Sequence, residues 1–373
     1  MKIGVLKEPE TENRVSLLPE HISRLPGKNN QFLIEQSAGN RSFISDQEYK
    51  EAGASVMTKE KLIKEADILL KIHISEKDVE EIPSEKIVVS FVNPLVNQSL
   101  VNKLVKKNLT VFSLDVLPRT TRAQSMDVLS SMATVAGYKA VIDAAGYLPS
   151  FFHMFMSAAG TIRPAKLLIL GAGVAGLQAV AIARKLGAVV EVFDVRSAVK
   201  EEVQSLGGKF IEVEGAKEEA SAGGYAVEQT EDFQQKQQQL IHDHAVKSNV
   251  VITTAQIPGR KAPLLLRKDT VKQMIPGSVV IDLAASSGGN CELTKNNKVV
   301  EENHVKIIGK SDYPSDMPVD ASRMYGNNLI NFIRILLNDN NELELNFEDD
   351  LVQGTCISHQ GKIVSERVKS FIK

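Results

Sequence analysis

The sequence predicts an α/β protein built on two doubly wound parallel sheets. Three observations carry that prediction: short apolar runs alternate with amphipathic stretches along most of the chain, a glycine turn joins one such run to a helix start at 171–176, and two long helical patterns bracket the glycine-bearing segment. Apolar runs bounded by amphipathic helices are what a parallel sheet covered on both faces requires. With 373 residues the chain exceeds one comfortable core, and at roughly 100–200 residues per domain it holds two.

In the first third, strands are expected at 2–6, 31–34, 68–72, 87–91 and 110–113, and helices at 19–25, 46–52 and 97–106. From 126 to 147 small and apolar residues recur, including Leu129, Met132, Ala136, Ala140, Ile142 and Ala144, which predicts one long buried helix. A second α/β run follows, with strands at 166–170, 189–193, 210–213, 250–253, 278–283 and 306–308. A helix over 321–337 then carries Met324, Leu329, Ile330, Phe332 and Ile333 on its apolar side. The glutamine-rich stretch 234–239 reads as a polar helix face or a loop. The two long helices suggest that the chain leaves its first domain and returns to it. The expected division is therefore 1–125 plus 318–373, a discontinuous first domain, around a second domain of 126–317.

Composition narrows the function by exclusion. Lys and Arg number 44 against 46 Asp and Glu, so the net charge of −2 gives no field to recruit nucleic acid or anionic membrane. Cys291 and Cys356 lie far apart without Cys or His at ligand spacing, which fits a reducing compartment and no metal site. The first six residues lack the apolar core of a signal peptide, so the mature start is expected at Met1. The longest apolar stretch, 167–183, is broken by Gly171, Gly173, Gly176 and Gln178, and no bilayer span is expected.

The strongest local signal is the run from Leu167 to Ala179, a strand, a Gly-x-Gly-x-x-Gly turn and a helix start in one piece. Gly171 permits the tight turn, Gly173 removes a Cβ that would block a pyrophosphate, and Gly176 lets the helix pack on its strand. Phosphates then sit at the helix N-terminus, where unpaired N–H groups and the dipole favour negative charge. The next strand ends in Asp194, 18 residues after Gly176, close to the spacing of a carboxylate that takes ribose hydroxyls and repels a 2′-phosphate. NAD(H) is thus favoured over NADP(H), with Arg196 as a contrary hint, since an arginine there can accommodate that phosphate. The domain is read as Rossmann-like, and the first as a second Rossmann-like domain without a fingerprint.

The segment from Pro118 to Ser131 contains Arg119, Gln124, Asp127 and Ser130, a polar loop entering a helix. Chemistry alone leaves two readings open, a helix cap with salt bridges or a ligand-contacting loop. This segment resembles the RQD loop of the NAD(H)-binding domain I of proton-translocating NAD(P)+ transhydrogenases, within the alanine dehydrogenase/transhydrogenase family. The resemblance spans the chain: 4–8, 13–15, 171–176, 194–196, 206–210, 222–226, 253–255, 258–259, 276–278 and 288–291. It implies that Arg119, Gln124, Asp127 and Ser130 lie around the nicotinamide and its ribose. It also implies that Gly224 and Tyr225 belong to a loop closing over the nucleotide, and that Val174, Val195, Gln237 and Gln256 touch it. Gln256 departs from the usual apolar residue.

Alanine dehydrogenase shares the family and must manage a proton as well as a hydride. Arg14 and Lys71 stand at positions resembling its substrate-handling residues, but Phe91 replaces a histidine and Ser286 an aspartate. A phenyl ring exchanges no proton, and an ordinary hydroxyl is a poor base. Transhydrogenation needs neither group, only two nicotinamide rings held together with water excluded. The resemblance therefore implies a transhydrogenase component active only with its partner, with an amino-acid dehydrogenase or a nucleotide-binding regulatory protein as alternatives. NADP(H) would be carried by membrane-embedded partner subunits. The chain itself would be a homodimer, cytoplasmic and peripheral to the inner face of the membrane.

Overall fold

The computed structural model describes residues 1–25, 30–213 and 230–371. It divides into two compact units, Met1–Met132 with Pro314–Lys373, and Ala133–Tyr313. In chain order, the first unit begins with β1 (Lys2–Val5), β2 (Gln31–Glu35), β3 (Ser55–Met57), β4 (Ile68–His73), β5 (Ile87–Phe91) and β6 (Thr110–Ser113). The second unit holds β7 (Phe155–Ser157), β8 (Gly160–Ile162), β9 (Lys166–Leu170), β10 (Val189–Phe193), β11 (Lys209–Ile211), β12 (Val250–Thr253), β13 (Val279–Asp282), β14 (Lys298–Glu302) and β15 (Val305–Gly309). The returning chain adds β16 (Cys356–His359) and β17 (Lys362–Ile363) to the first unit.

The two sheets run β17-β16-β6-β5-β4-β1-β2-β3 and β11-β10-β9-β12-β13-β15-β14. Both are α/β sheets whose central strands are parallel, as the buried apolar runs require. Their edges depart from the expectation of wholly parallel sheets: β14 is antiparallel to β15, and β16 to β6 and β17. The β14–β15 connection is only Asn303 and His304, both with positive φ (49° and 60°), the backbone that a two-residue hairpin demands. A separate hairpin of β7 and β8, unforeseen in the sequence, leaves Phe155 and Met156 exposed.

Helices differ from expectation mainly at their ends. The helix expected over 126–147 runs Val128–Tyr147. It is not wholly buried: Ala140, Val141 and Ala144 enter the core of the second unit, while Leu129 and Tyr147 are exposed. The glutamine-rich stretch lies in the helix Glu231–Ala245, with Phe233, Gln237, Ile241 and Ala245 facing inward at four-residue spacing. The last long helix is Pro318–Arg334, earlier than the expected 321–337 because Pro318 starts it.

The first unit also buries charge. Arg14 donates from Nε and Nη2 to the two oxygens of Glu12 (2.8 and 2.6 Å), and Lys71 to Asp78 Oδ2 (2.6 Å). Burial would raise the Asp78 carboxyl, but bonds from Lys71 and Ser75 prevail and hold it down at about 2. Glu8 has the opposite balance. Burial pushes it up to about 8, against backbone bonds from Ile72 and His73 and the charge of Lys71. The folded chain therefore keeps a proton that the unfolded chain releases above its ordinary value of 4.5. Stability from this group falls as pH rises through that window. Glu8→Gln retains an acceptor for the Ile72 amide and should flatten the decline, so Tm measured between about pH 5 and pH 8 should vary less than in the native chain.

Candidate nucleotide-binding site

In the second unit the strand order reverses between β9 and β12, the place where open α/β sheets leave a crevice beyond the strand C-termini. The glycine turn follows β9 and opens the helix Val174–Lys185, with Gly173 as N-cap and no side chain capping the first amides. Gly171 has φ +108°, and a Cβ there would lie 2.5 Å from Thr254 Oγ1. A Cβ on Gly176 would lie 1.9 Å from the Gly171 carbonyl oxygen. Both glycines are therefore demanded by the protein's own packing. Gly173 is different: its φ is −76°, and no described protein atom lies within 4 Å of where its Cβ would be. Nothing in the described fold needs a glycine there.

Asp194 stands just beyond β10, only 9% exposed. It accepts the Ala172 amide at 2.7 Å, which ties the acid to the glycine turn. It also receives Arg196 through the backbone N (2.9 Å), Nε (2.9 Å) and Nη2 (2.7 Å). The arginine that hinted at a 2′-phosphate is thus held on the carboxylate, and its hydrogen bond to Asp194 raises its pKa. Beside Asp194 lies a small hollow lined by Val195, Ser197, Phe210, Glu212, Val213 and Phe233. Gln237 is buried on the helix Glu231–Ala245. Val174 is exposed at the helix start, and Gln256 donates to the Leu283 carbonyl at 2.8 Å. Gly224 and Tyr225 lie outside the described residues.

The remaining site residues belong to the first unit. Asp127 accepts both the backbone N (2.9 Å) and the hydroxyl (2.6 Å) of Ser130, so this pair caps the helix Val128–Tyr147. Arg122 binds Asp349 and Asp350. The Ser125 carbonyl receives Asn328 (2.8 Å) and Asn331 (3.0 Å), pinning the loop to the helix Pro318–Arg334. Cap and salt bridge both exist; Gln124 lies exposed in the short helix Arg122–Met126, and Arg119 lies exposed a few residues before it. Phe91 packs between His73 (5.8 Å) and Tyr325 (5.7 Å). His73, which sequence reasoning passed over, lies 3.5 Å from Glu12 and 3.3 Å from Arg14. Its signal was weak, a single histidine at a strand end. Ser286 is exposed in the second unit.

A parallel sheet with a glycine turn at its reversal point and an acid at the end of the neighbouring strand defines a dinucleotide-binding protein. The N-terminal domain signature of alanine dehydrogenase/PNT matches residues 4–136 and the C-terminal one residues 140–366. The chain belongs to the alanine dehydrogenase/PNT family. It is 42% identical to the first-segment chain of NAD(P) transhydrogenase subunit alpha from Rhodospirillum rubrum, over 98% of either chain. It is 40% identical to NAD(P) transhydrogenase subunit alpha of Haemophilus influenzae, over 97% of this chain and 71% of that one. The solved transhydrogenase of Sinorhizobium meliloti superposes with a TM-score of 0.89 at 41% identity, covering 98% of this chain and 100% of the other.

Gly173 and Gly176 should part company on substitution. Gly173→Ala should leave Tm nearly unchanged and weaken NADH binding by about tenfold or more, whereas Gly176→Ala should lower both together. Calorimetry and NADH titration of the two variants would check this, and equal behaviour would count against a phosphate lying over Gly173.

Proposed function

We propose that this chain is the NAD(H)-binding subunit of a proton-translocating, Re/Si-specific NAD(P)+ transhydrogenase, passing hydride between its own nucleotide and NADP(H) held on a partner subunit. The observation that carries this reading is an intact dinucleotide turn in a chain with a phenyl ring at 91, where an amino-acid dehydrogenase would need a group that exchanges protons. When bound, NADH supplies the hydride. The chain's own residues bind, orient and exclude water. Gly171, Gly173 and Gly176 receive the pyrophosphate, and Asp194, Val195 and Arg196 the adenosine end. Val174, Gln237 and Gln256 complete the cleft wall. Arg119, Gln124, Asp127 and Ser130 orient the nicotinamide end, an amide and a guanidinium being suited to ribose hydroxyls and carboxamide.

Both relatives are named as a subunit alpha, which supports a multi-subunit assembly. No described helix is long and apolar enough to cross a membrane. In this reading proton conduction belongs to membrane-embedded partners, with this chain against the cytoplasmic face. A homodimer belongs to the same reading. The β7–β8 hairpin and the chain leading into it support it, because Phe151, Met154, Phe155 and Met156 are 43–67% exposed, an apolar cost in water that a second copy would remove.

With a partner's NADP-binding domain added, the native chain should transfer hydride from NADH to an NADP+ analogue, and Gln124→Asn should bind NADH nearly normally but transfer at least about tenfold more slowly. Transfer by the chain alone, or alanine-dependent NADH production, would overturn the reading. Sedimentation should give a dimer, and Phe155→Ser with Met156→Ser should shift it toward monomer.

A further inference from the structure

Between the C-terminal ends of β12 and β13, one side chain does the work of a missing strand. Asn290 is fully buried. Its Oδ1 accepts the Ala255 amide at 3.1 Å, and its Nδ2 donates to the Ala255 carbonyl at 2.9 Å and the Pro263 carbonyl at 2.8 Å. Both polar groups of Ala255 are thereby paired by a single carboxamide, as a neighbouring strand would pair them. The backbone of Asn290 is held equally firmly. Its N–H donates to Asp282 Oδ2 at 2.8 Å, and its carbonyl receives Leu265 (2.8 Å) and Leu266 (2.9 Å).

Asp282, fully buried at the end of β13, organises the turn that delivers Asn290. It also accepts the amides of Ala284 and Cys291 (both 3.0 Å) and the Thr294 hydroxyl (2.6 Å). Gly288 and Gly289, at φ +101° and +79°, let the chain turn tightly around that carboxylate.

What Asn290 holds is the wall behind the glycine turn. Thr254, next to Ala255, bonds its amide to the Leu170 carbonyl (2.9 Å) and its hydroxyl to the Gly171 carbonyl (3.0 Å). The position of Gly171 is therefore referred through Thr254 and Ala255 to Asn290, and through Asn290 to Asp282. Gln256, next along, is tied across the same gap to Leu283.

We propose that Asn290 is a positioning residue for the dinucleotide, clamping Thr254–Gln256 so that the turn at Gly171–Gly176 is fixed before the nucleotide arrives. The inference rests on the NAD(H) reading above. It also explains why the residue is an amide: the clamp needs one acceptor and two donors, which a carboxylate of the same shape does not supply.

Asn290→Asp sets a carboxylate against two carbonyl oxygens; Asn290→Ser removes the clamp while leaving room for water. Both should fold, with NADH affinity lowered by about tenfold or more, the equivalent of one net hydrogen bond. Asn290→Asp should regain affinity as pH falls from about 8 to about 5.5, where a protonated acid recovers one donor, while native affinity stays level. Titration of NADH by fluorescence, with Tm recorded for each protein, reads both. Native binding with variants within about twofold of it and no pH recovery would overturn the proposal. So would failure of both variants to fold, since Asn290 would then belong to the fold alone. A native chain that does not bind NADH would overturn the nucleotide reading itself, and the proposal with it.

Discussion

The second unit depends on a contact between two stretches of backbone. Gly176, in the first turn of its helix, lies so close to the Gly171 carbonyl that a Cβ would sit 1.9 Å from that oxygen. The approach sets the helix directly on the end of β9, and it leaves no room for a side chain at Gly171 or Gly176. The walls must then be supplied by neighbours: Phe193 receives the Gly171 amide, Asp194 the Ala172 amide, and Thr254 buttresses the Gly171 carbonyl. Three strands thus meet at one glycine. Their parallel register, with Phe193 beside Leu170 and Thr253 beside Leu170, brings all their C-terminal ends to the same level.

The features legible in the sequence are those whose cause is local. The apolar runs of β9, β12 and β13 announce buried parallel strands because nearly every side chain in them is inside. The fingerprint is legible because the positive φ of Gly171 and the close approach of Gly176 to the Gly171 carbonyl are demands made within a short stretch of chain. Antiparallel β14 was not, since its outward Lys298, Val299 and Glu301 show no buried face and its pairing comes from a two-residue turn without glycine. Short β16 depends on partners about 250 residues earlier, including the Leu109 carbonyl that takes the Ser358 hydroxyl. Asn290 was visible only as one residue of a familiar stretch; its role arises from Ala255 and Pro263, which no local pattern connects to it.

The polar loop shows why the cap reading and the ligand reading could not be separated in advance. Asp127 and Ser130 satisfy each other at the start of the long helix, and Asn328 and Asn331 secure the carbonyl between Gln124 and Met126. Capping does not compete with the orienting role proposed for this loop. It would supply the rigidity that a short polar loop lacks by itself, because an orienting group loses less freedom when its backbone is already immobile.

Charge is handled differently in the first unit, and the contrast bears on what the chain does. Arg14 and Lys71 carry the cationic character that an amino-acid substrate would need, yet each is matched to an internal carboxylate at 2.6 Å, Glu12 and Asp78. A buried ion pair stabilises little against an apolar alternative, but removing one member leaves an uncompensated charge inside the fold. The two pairs are therefore locked in together, while Phe91 fills the space between His73 and Tyr325 with a ring that holds no exchangeable proton. His73 is engaged with Glu12 and Arg14. Hydride transfer between two nicotinamides needs no proton at the reacting carbon, so a chain devoted to it has no use for a free acid or base here. The chemistry then depends on how firmly the nucleotide is positioned, and the dense polar network at the crevice, around Asp282 and Asn290, is devoted to the turn that receives it.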